Sequence, residues 1–162
     1  MSEKEFKLNT IFMKTASLIA EMSHCISHKV GAVLVKDGRI ISTGYNGTPA
    51  GFVNCNDYFT LYNTTADDLS ELDRKSHHNF SEMFEIHAEL NAILCAAKNG
   101  LSTDGCTLYC TLQPCNNCLK MICNTGIKTI YYNKLYDKSC MDRRVLDMIN
   151  KCNISLIHFP VD

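Results

Sequence analysis

Apolar positions along the chain recur first at helical spacing, then at strand spacing, and then alternate between the two. Leu8, Ile11, Phe12, Ile19 and Met22 mark an opening helix over 8–22 with that face in the core. The runs KVGAVLVK (29–36) and RIISTGY (39–45) read as strands. Asp37-Gly38 between them is a two-residue turn signal, so the pair should form an antiparallel hairpin with the first helix packed across it. HAELNAILCAAK (87–98) is rich in Ala and Leu and reads as a helix stopped by Asn99-Gly100.

After it come a strand over 107–111 (TLYCT) and a helix opened by Pro114, a position where a missing amide is harmless. That helix runs through Leu119, Met121 and Ile122 to a stop at Gly126. IKTIYY (127–132) is a further strand, 142–152 a helix and 154–158 a last strand. Alternating strand and helix favour parallel strands joined by right-handed crossovers. With the hairpin, this predicts a single domain over 1–162 of α/β class: a three-layer α/β/α fold around a mixed five-stranded sheet.

Residues 46–84 carry the weakest periodicity. The stretch is too long for a plain connection inside a compact domain, so it should hold function or a local clamp. The glycine-rich turn GYNGTPAG (44–51) leads into it, and there backbone amides can approach a ligand closely. On composition alone an ordinary turn is the preferred account.

Composition removes several classes of function. With 16 Lys+Arg against 17 Asp+Glu, a net charge near -1 and no Trp, no basic stacking surface is announced for nucleic acid, nor a basic one for membrane. No apolar run approaches a membrane span, and the charged start MSEKE lacks a signal-peptide core, so a cytosolic chain is expected. Ten cysteines without an export signal argue against a disulfide framework. Cys95, Cys106, Cys110 and Cys123 fall in apolar segments, where a thiol serves as a small buried hydrophobe.

Chemistry concentrates in His87-Ala88-Glu89 and Pro114-Cys115-Asn116-Asn117-Cys118. His87, Cys115 and Cys118 make an imidazole and two thiolates, a set that zinc accepts while keeping a fourth position open for water. Cys115 and Cys118 share a helix face at i and i+3. Both helix starts, with positive dipole ends, should point at the metal and favour thiolates. Glu89 is not needed as a ligand and is free to move protons. It would take one from the attacking water, pass it to the ring nitrogen beside the amino-bearing carbon, and deliver one to the departing ammonia. The order H-x-E then P-C-x-x-C matches the known signature of zinc nucleobase deaminases.

A second zinc held by Cys25, Cys55, one of His77 or His78, and Glu85 is chemically allowed and would order the insertion. Buried thiols and solvated histidines are the plainer account of those spacings.

The runs EIHAELNAI (85–93), GYNGTPAG and TLQPCNNC (111–118) resemble deoxycytidylate (dCMP) deaminases, especially those of T-even-like bacteriophages, and the similarity reaches Tyr136-Asp137-Lys138. The resemblance implies a cytidine-deaminase-like fold and conversion of dCMP to dUMP for thymidylate synthesis. By position it implies zinc on His87, Cys115 and Cys118, with Glu89 as proton shuttle. It places Asn46 at the deoxyribose, Ala88 among the substrate contacts and Tyr136 near the phosphate. It implies a second, structural zinc on Cys25, Cys55, His77 and Glu85, with His78 the alternative to His77. It further implies a homohexamer activated by dCTP and inhibited by dTTP, with Mg2+ allowed beside the regulatory nucleotide. Gly44, Tyr45, Asn46, Gly47 and Lys98 match that regulatory site, Lys98 standing where phage relatives carry arginine, which keeps charge but not bidentate geometry. The implied setting is cytoplasm, the host's for a viral protein.

Two rivals remain at this point. Another base could be the substrate, in transfer RNA, as free guanine or in single-stranded nucleic acid. A zinc-stabilised interaction module without catalysis would gain nothing from Glu89.

Overall fold

The computed structural model describes residues 1–60, 71–136 and 141–161. Its elements run α1 (Glu3–Ala20), β1 (Gly31–Lys36), β2 (Arg39–Tyr45), α2 (Cys55–Thr60), α3 (Glu71–Phe84), α4 (Ala88–Lys98), β3 (Thr107–Leu112), α5 (Asn116–Ile122), β4 (Thr129–Lys134), α6 (Arg143–Lys151) and β5 (Ser155–His158). The five strands lie in the order β2-β1-β3-β4-β5. β1 is antiparallel to both β2 and β3, whereas β3, β4 and β5 are parallel. The mixed sheet is therefore the expected one.

Alternation along the strands separates two cores. Val33 and Val35 of β1 and Tyr109 of β3 meet Phe12, Met13 and Ala16 of α1 on one face. Ala32, Leu34, Leu108, Cys110 and Ile130 meet Ala88, Ala92 and Ala96 of α4, Leu119 and Ile122 of α5, and Ile149 of α6 on the other. Three layers follow from the period-2 pattern of the strands.

The hairpin turn has positive φ at both Asp37 (50°) and Gly38 (74°), the type I′ geometry that matches strand twist. Ile41 is left without a partner where Leu34 pairs with Ser42 and Val35 with Ile40, a bulge beside the turn. Two glycines set the spacing of layers. A Cβ on Gly31 would collide with the backbone of Ala16 and Ala20, and one on Gly44 with that of Ala88 and Ala92.

Four expectations are corrected. The first helix starts at Glu3, where Ser2 and Glu5 form a capping box, and its buried residues are Asn9, Phe12, Met13, Ala16 and Ala20. Leu8, Ile11 and Met22 are exposed, because close approach to the sheet selects the stripe with small residues. Pro114 precedes α5 rather than opening it, and Cys115 is the N-cap. Cys95 is exposed and Cys123 half-buried, whereas Cys106 and Cys110 are buried. The stretch 46–84 contains two helices: α2 and α3 pack Phe59, Phe80 and Phe84 around Cys25 and Cys55 in a small aromatic core. Among the described residues no helix is long and apolar enough to cross a membrane.

Candidate active site

α4 and α5 bring their N-terminal ends together. His87 is the N-cap of α4 in extended conformation (φ -65°, ψ 154°) and its side chain makes no capping bond. Cys115 holds the same place on α5 (φ -72°, ψ 167°), again without a side-chain cap. Both side chains are turned to each other instead. His87 Nδ1 lies 3.6 Å from Cys115 Sγ and 3.4 Å from Cys118 Sγ. The three donor atoms lie within 4.8 Å of one another. Zn–S bonds of ~2.3 Å and Zn–N bonds of ~2.0 Å in a tetrahedron separate S from N by about 3.5 Å, so the trio fits zinc.

Hydrogen bonds within the trio shift the proton affinity of each member. A hydrogen bond from Cys118 holds the Cys115 thiol down to about 4, with His87 adding to it, and Cys118 is pushed up in turn. The Cys115 thiolate raises His87 to about 9. Glu89, in the first turn of α4, is 4% exposed. Burial raises its carboxyl above the usual range, against a hydrogen bond from its own backbone amide.

Three residues of the second predicted group, Cys25, Cys55 and His77, come together, and Glu85 lies outside their donor cluster. Cys25 follows α1, Cys55 begins α2 and His77 lies on α3. Cys25 Sγ stands 3.3 Å from His77 Nε2, and the three donor atoms cluster within 4.8 Å. Cys55 donates to Cys25 and holds it down to about 3, while Cys55 itself is raised. Glu85 accepts a hydrogen bond from the Ser81 hydroxyl at Oε2 (2.7 Å), but its buried Oε1 has no partner. An orphaned carboxylate oxygen beside two thiols and an imidazole fits a fourth ligand. His78 is exposed and stays outside this cluster.

A cavity of ≈ 570 Å³ reaches both groups: His87, Ala88, Glu89 and Cys115 at one end, Cys25, His77 and Glu85 along a wall. Asn46 and Tyr136 line it as well. The Asn46 carboxamide is 7% exposed, accepts from Val30 N (2.8 Å) at Oδ1 and donates from Nδ2 to His28 O (2.8 Å), so it holds the 28–30 wall in place. The Tyr136 amide donates to Gln113 Oε1 at 3.3 Å. Gly44, Tyr45 and Gly47 line a separate cavity of ≈ 470 Å³, which neither Asn46 nor the exposed Lys98 lines. Asn91 bonds the carbonyls of Tyr45 (2.7 Å) and Ile86 (3.2 Å), tying that turn to α4. Sequence reasoning missed His28, Arg74 and Gln113 on the cavity wall. The spacing 74, 77, 78, 81 is a helical face, a signal hidden by the absence of apolar residues on it. Asp137 and Lys138 lie outside the described residues.

The family model for the cytidine and deoxycytidylate deaminase zinc-binding region matches residues 7–134. The chain belongs to this deaminase family. It is 44% identical to the deoxycytidylate deaminase of Enterobacteria phage T4 over 82% of this chain and 80% of that one. The phage T2 deoxycytidylate deaminase is also 44% identical, over 82% of each. Among solved structures, the dCMP deaminase of cyanophage S-TIM5 in complex with dCMP and dUMP superposes with a TM-score of 0.71 at 32% identity, covering 98% of this chain and 99% of that one. Deaminase membership agrees with the zinc-fitting trio and with the mixed sheet.

Proposed function

We propose that the chain hydrolyses dCMP to dUMP and ammonia with a zinc held by His87, Cys115 and Cys118, so supplying dUMP for thymidylate synthesis. The observation that carries this reading is the donor trio at two converging helix starts, with the buried Glu89 beside it in the cavity. A bound zinc supplies Lewis acidity that makes water a competent nucleophile near neutral pH. Glu89 takes a proton from the attacking water and gives it to the ring nitrogen next to the amino-bearing carbon. Oxygen adds to that carbon, the carbon–nitrogen bond breaks, and Glu89 delivers a proton to the leaving ammonia. Burial suits Glu89 to both halves, because it raises the carboxylate's proton affinity toward the working pH.

Asn46 would meet the deoxyribose with the hydrogen-bonding capacity its backbone partners leave, Ala88 the base and Tyr136 the phosphate. Cys25, Cys55, His77 and Glu85 would hold a second zinc that clamps the insertion 46–84 into the single domain 1–162. Regulation by dCTP and dTTP, with Mg2+, is assigned to the Gly44–Gly47 turn, in a homohexamer acting in cytoplasm. The cavity beside that turn supports a nucleotide site, and Lys98 would reach it only from a distance or from another copy.

Loss of cytosine absorbance on incubation with dCMP, with and without dCTP, tests the reading. Turnover that rises with dCTP supports both parts. Turnover indifferent to dCTP and dTTP removes the regulatory part, and activity on guanine or polynucleotide alone contradicts the substrate.

A further inference from the structure

Cysteines outside the two metal-fitting groups occupy different settings. Cys106 and Cys110 are fully buried in the core between the sheet and its helices, where a thiol is an inert filler. Cys123 and Cys152 are half-buried at the edge of that core, and they meet each other. Each is the C-cap of a crossover helix, Cys123 of α5 between β3 and β4, Cys152 of α6 between β4 and β5. Their side chains are in hydrogen-bond contact.

The backbone around both thiols fixes that meeting. After Cys123, Asn124 N donates to Met121 O (3.2 Å) and Thr125 N to Ile122 O (3.0 Å), and Gly126 turns the chain at φ 77°. After Cys152, Asn153 takes φ 56°, with Asn153 N donating to Asn150 O and Ile154 N to Ile149 O, each at 3.0 Å. That is the Schellman closure of a helix. The strands that follow are paired from Thr129 and Ser155, and Ser155 N donates to Lys128 O at 2.9 Å. At the opposite ends of the two helices, the N-cap Asp142 of α6 donates its amide to Asn116 Oδ1 at 3.4 Å. The helix pair is therefore tied at one end by a hydrogen bond and holds two thiols in contact at the other. Cys115 and Cys118 lie at the start of α5, and Cys123 closes its far end.

We propose that Cys123 and Cys152 are a modification site, at which a hydroperoxide forms a reversible disulfide that staples α5 to α6. One thiolate attacks a peroxide oxygen, the O–O bond breaks, and the leaving hydroxide takes up a proton to become water, with a sulfenic acid left behind. The second sulfur attacks the sulfenic sulfur, the S–S bond forms, the S–O bond breaks, and a second water leaves with the proton of that thiol. Two thiols lose two electrons and two protons, and hydrogen peroxide is reduced to two waters. Burial and the neighbouring Cys152 push the Cys123 thiol up to about 11, so at neutral pH it rests as a thiol until an oxidant arrives. The cross-link requires no particular substrate and stands apart from the identity of the base deaminated.

The test treats zinc-loaded full-length chain with hydrogen peroxide, wild type beside Cys123→Ser and Cys152→Ser. Remaining thiols are alkylated and the peptides mapped by mass spectrometry without reduction, while zinc content, Tm and dCMP turnover are read on the same samples. The expected result in wild type is a peptide pair joined through Cys123 and Cys152 that dithiothreitol separates. Zinc content and turnover stay at their untreated values, because the cross-link lies at the far end of α5 from Cys115 and Cys118. Closing the loop 123–152 takes entropy from the unfolded chain, so Tm rises by about 5–15 °C. Neither serine variant gains that rise. Recovery of Cys123 and Cys152 in alkylated form after treatment, or a bond from either to another cysteine, overturns the proposal. So does a Cys123–Cys152 bond that leaves Tm unchanged, or one that forms only after zinc is lost. Untreated wild type that does not turn over dCMP counts against the proposed reaction alone, because the mapped cross-link and its Tm shift are read without substrate.

Discussion

Glu89 is suited to the proposed proton transfer by where α4 buries it. At 4% exposure its carboxylate is costly to ionise, so it holds protons more tightly than a surface glutamate. Glu89→Gln should lower kcat for dCMP by ~10²–10⁴-fold while bound zinc stays at the wild-type amount. Cys118→Ala should lose both, because it removes a donor. Zinc analysis beside initial rates separates the two variants. These residues were legible in the sequence because each motif is local: H-x-E and P-C-x-x-C fix their own geometry at a helix start. Arg74 was not legible, since its assignment to the same cavity depends on how α3 is rotated by contacts of Phe80, Phe84 and His77 with distant parts of the chain.

At the scale of elements, the sequence pattern found every strand and missed where faces pack. Helix α1 was given Leu8 and Ile11 as core, but backbone proximity at Gly31 favours the face with Ala16 and Ala20. Met13 is fully buried and Ile11 is 49% exposed. Met13→Ala should therefore lower unfolding free energy by ~2–5 kcal/mol and Ile11→Ala by under about 0.5 kcal/mol, read by denaturant titration. α3 escaped notice for a different reason. Its apolar side is short, Phe80 and Phe84 at i and i+4 packing against the small core of Cys25, Cys55 and Phe59. Gly44 illustrates the coupling of sheet to site. Gly44→Ala would press a methyl into the backbone of α4, with an overpacking cost of ~1–3 kcal/mol and a fall in activity as His87 and Glu89 shift. Thermal unfolding and kcat should drop together.

The whole molecule couples folding, metal and protons. Without metal, His87 titrates at about 9, above its ordinary value, so it is protonated at pH 7, as are the raised thiols Cys118 and Cys55. Because the folded value is raised, the His87 contribution to metal-free stability is complete below ~6.5 and is lost as pH rises through about 9. Zinc needs these groups deprotonated, so its binding should release protons. Apparent affinity should then climb with pH from 6 toward 9, about tenfold per unit for each proton released. Calorimetry in buffers of different ionisation heat measures that release. On the proposed second zinc, His77→Ala should lower the zinc bound per chain relative to wild type and loosen the insertion, visible as faster amide exchange in α2 and α3.

The most direct measurement pairs metal content with turnover in the same samples. Wild-type protein and Glu89→Gln are stripped, reloaded with zinc, assayed for bound metal, and followed for conversion of dCMP to dUMP. The account predicts equal zinc in both, turnover in wild type that returns only on reloading, and next to none in Glu89→Gln. Turnover by the stripped protein, or by zinc-loaded Glu89→Gln at the wild-type rate, would contradict it.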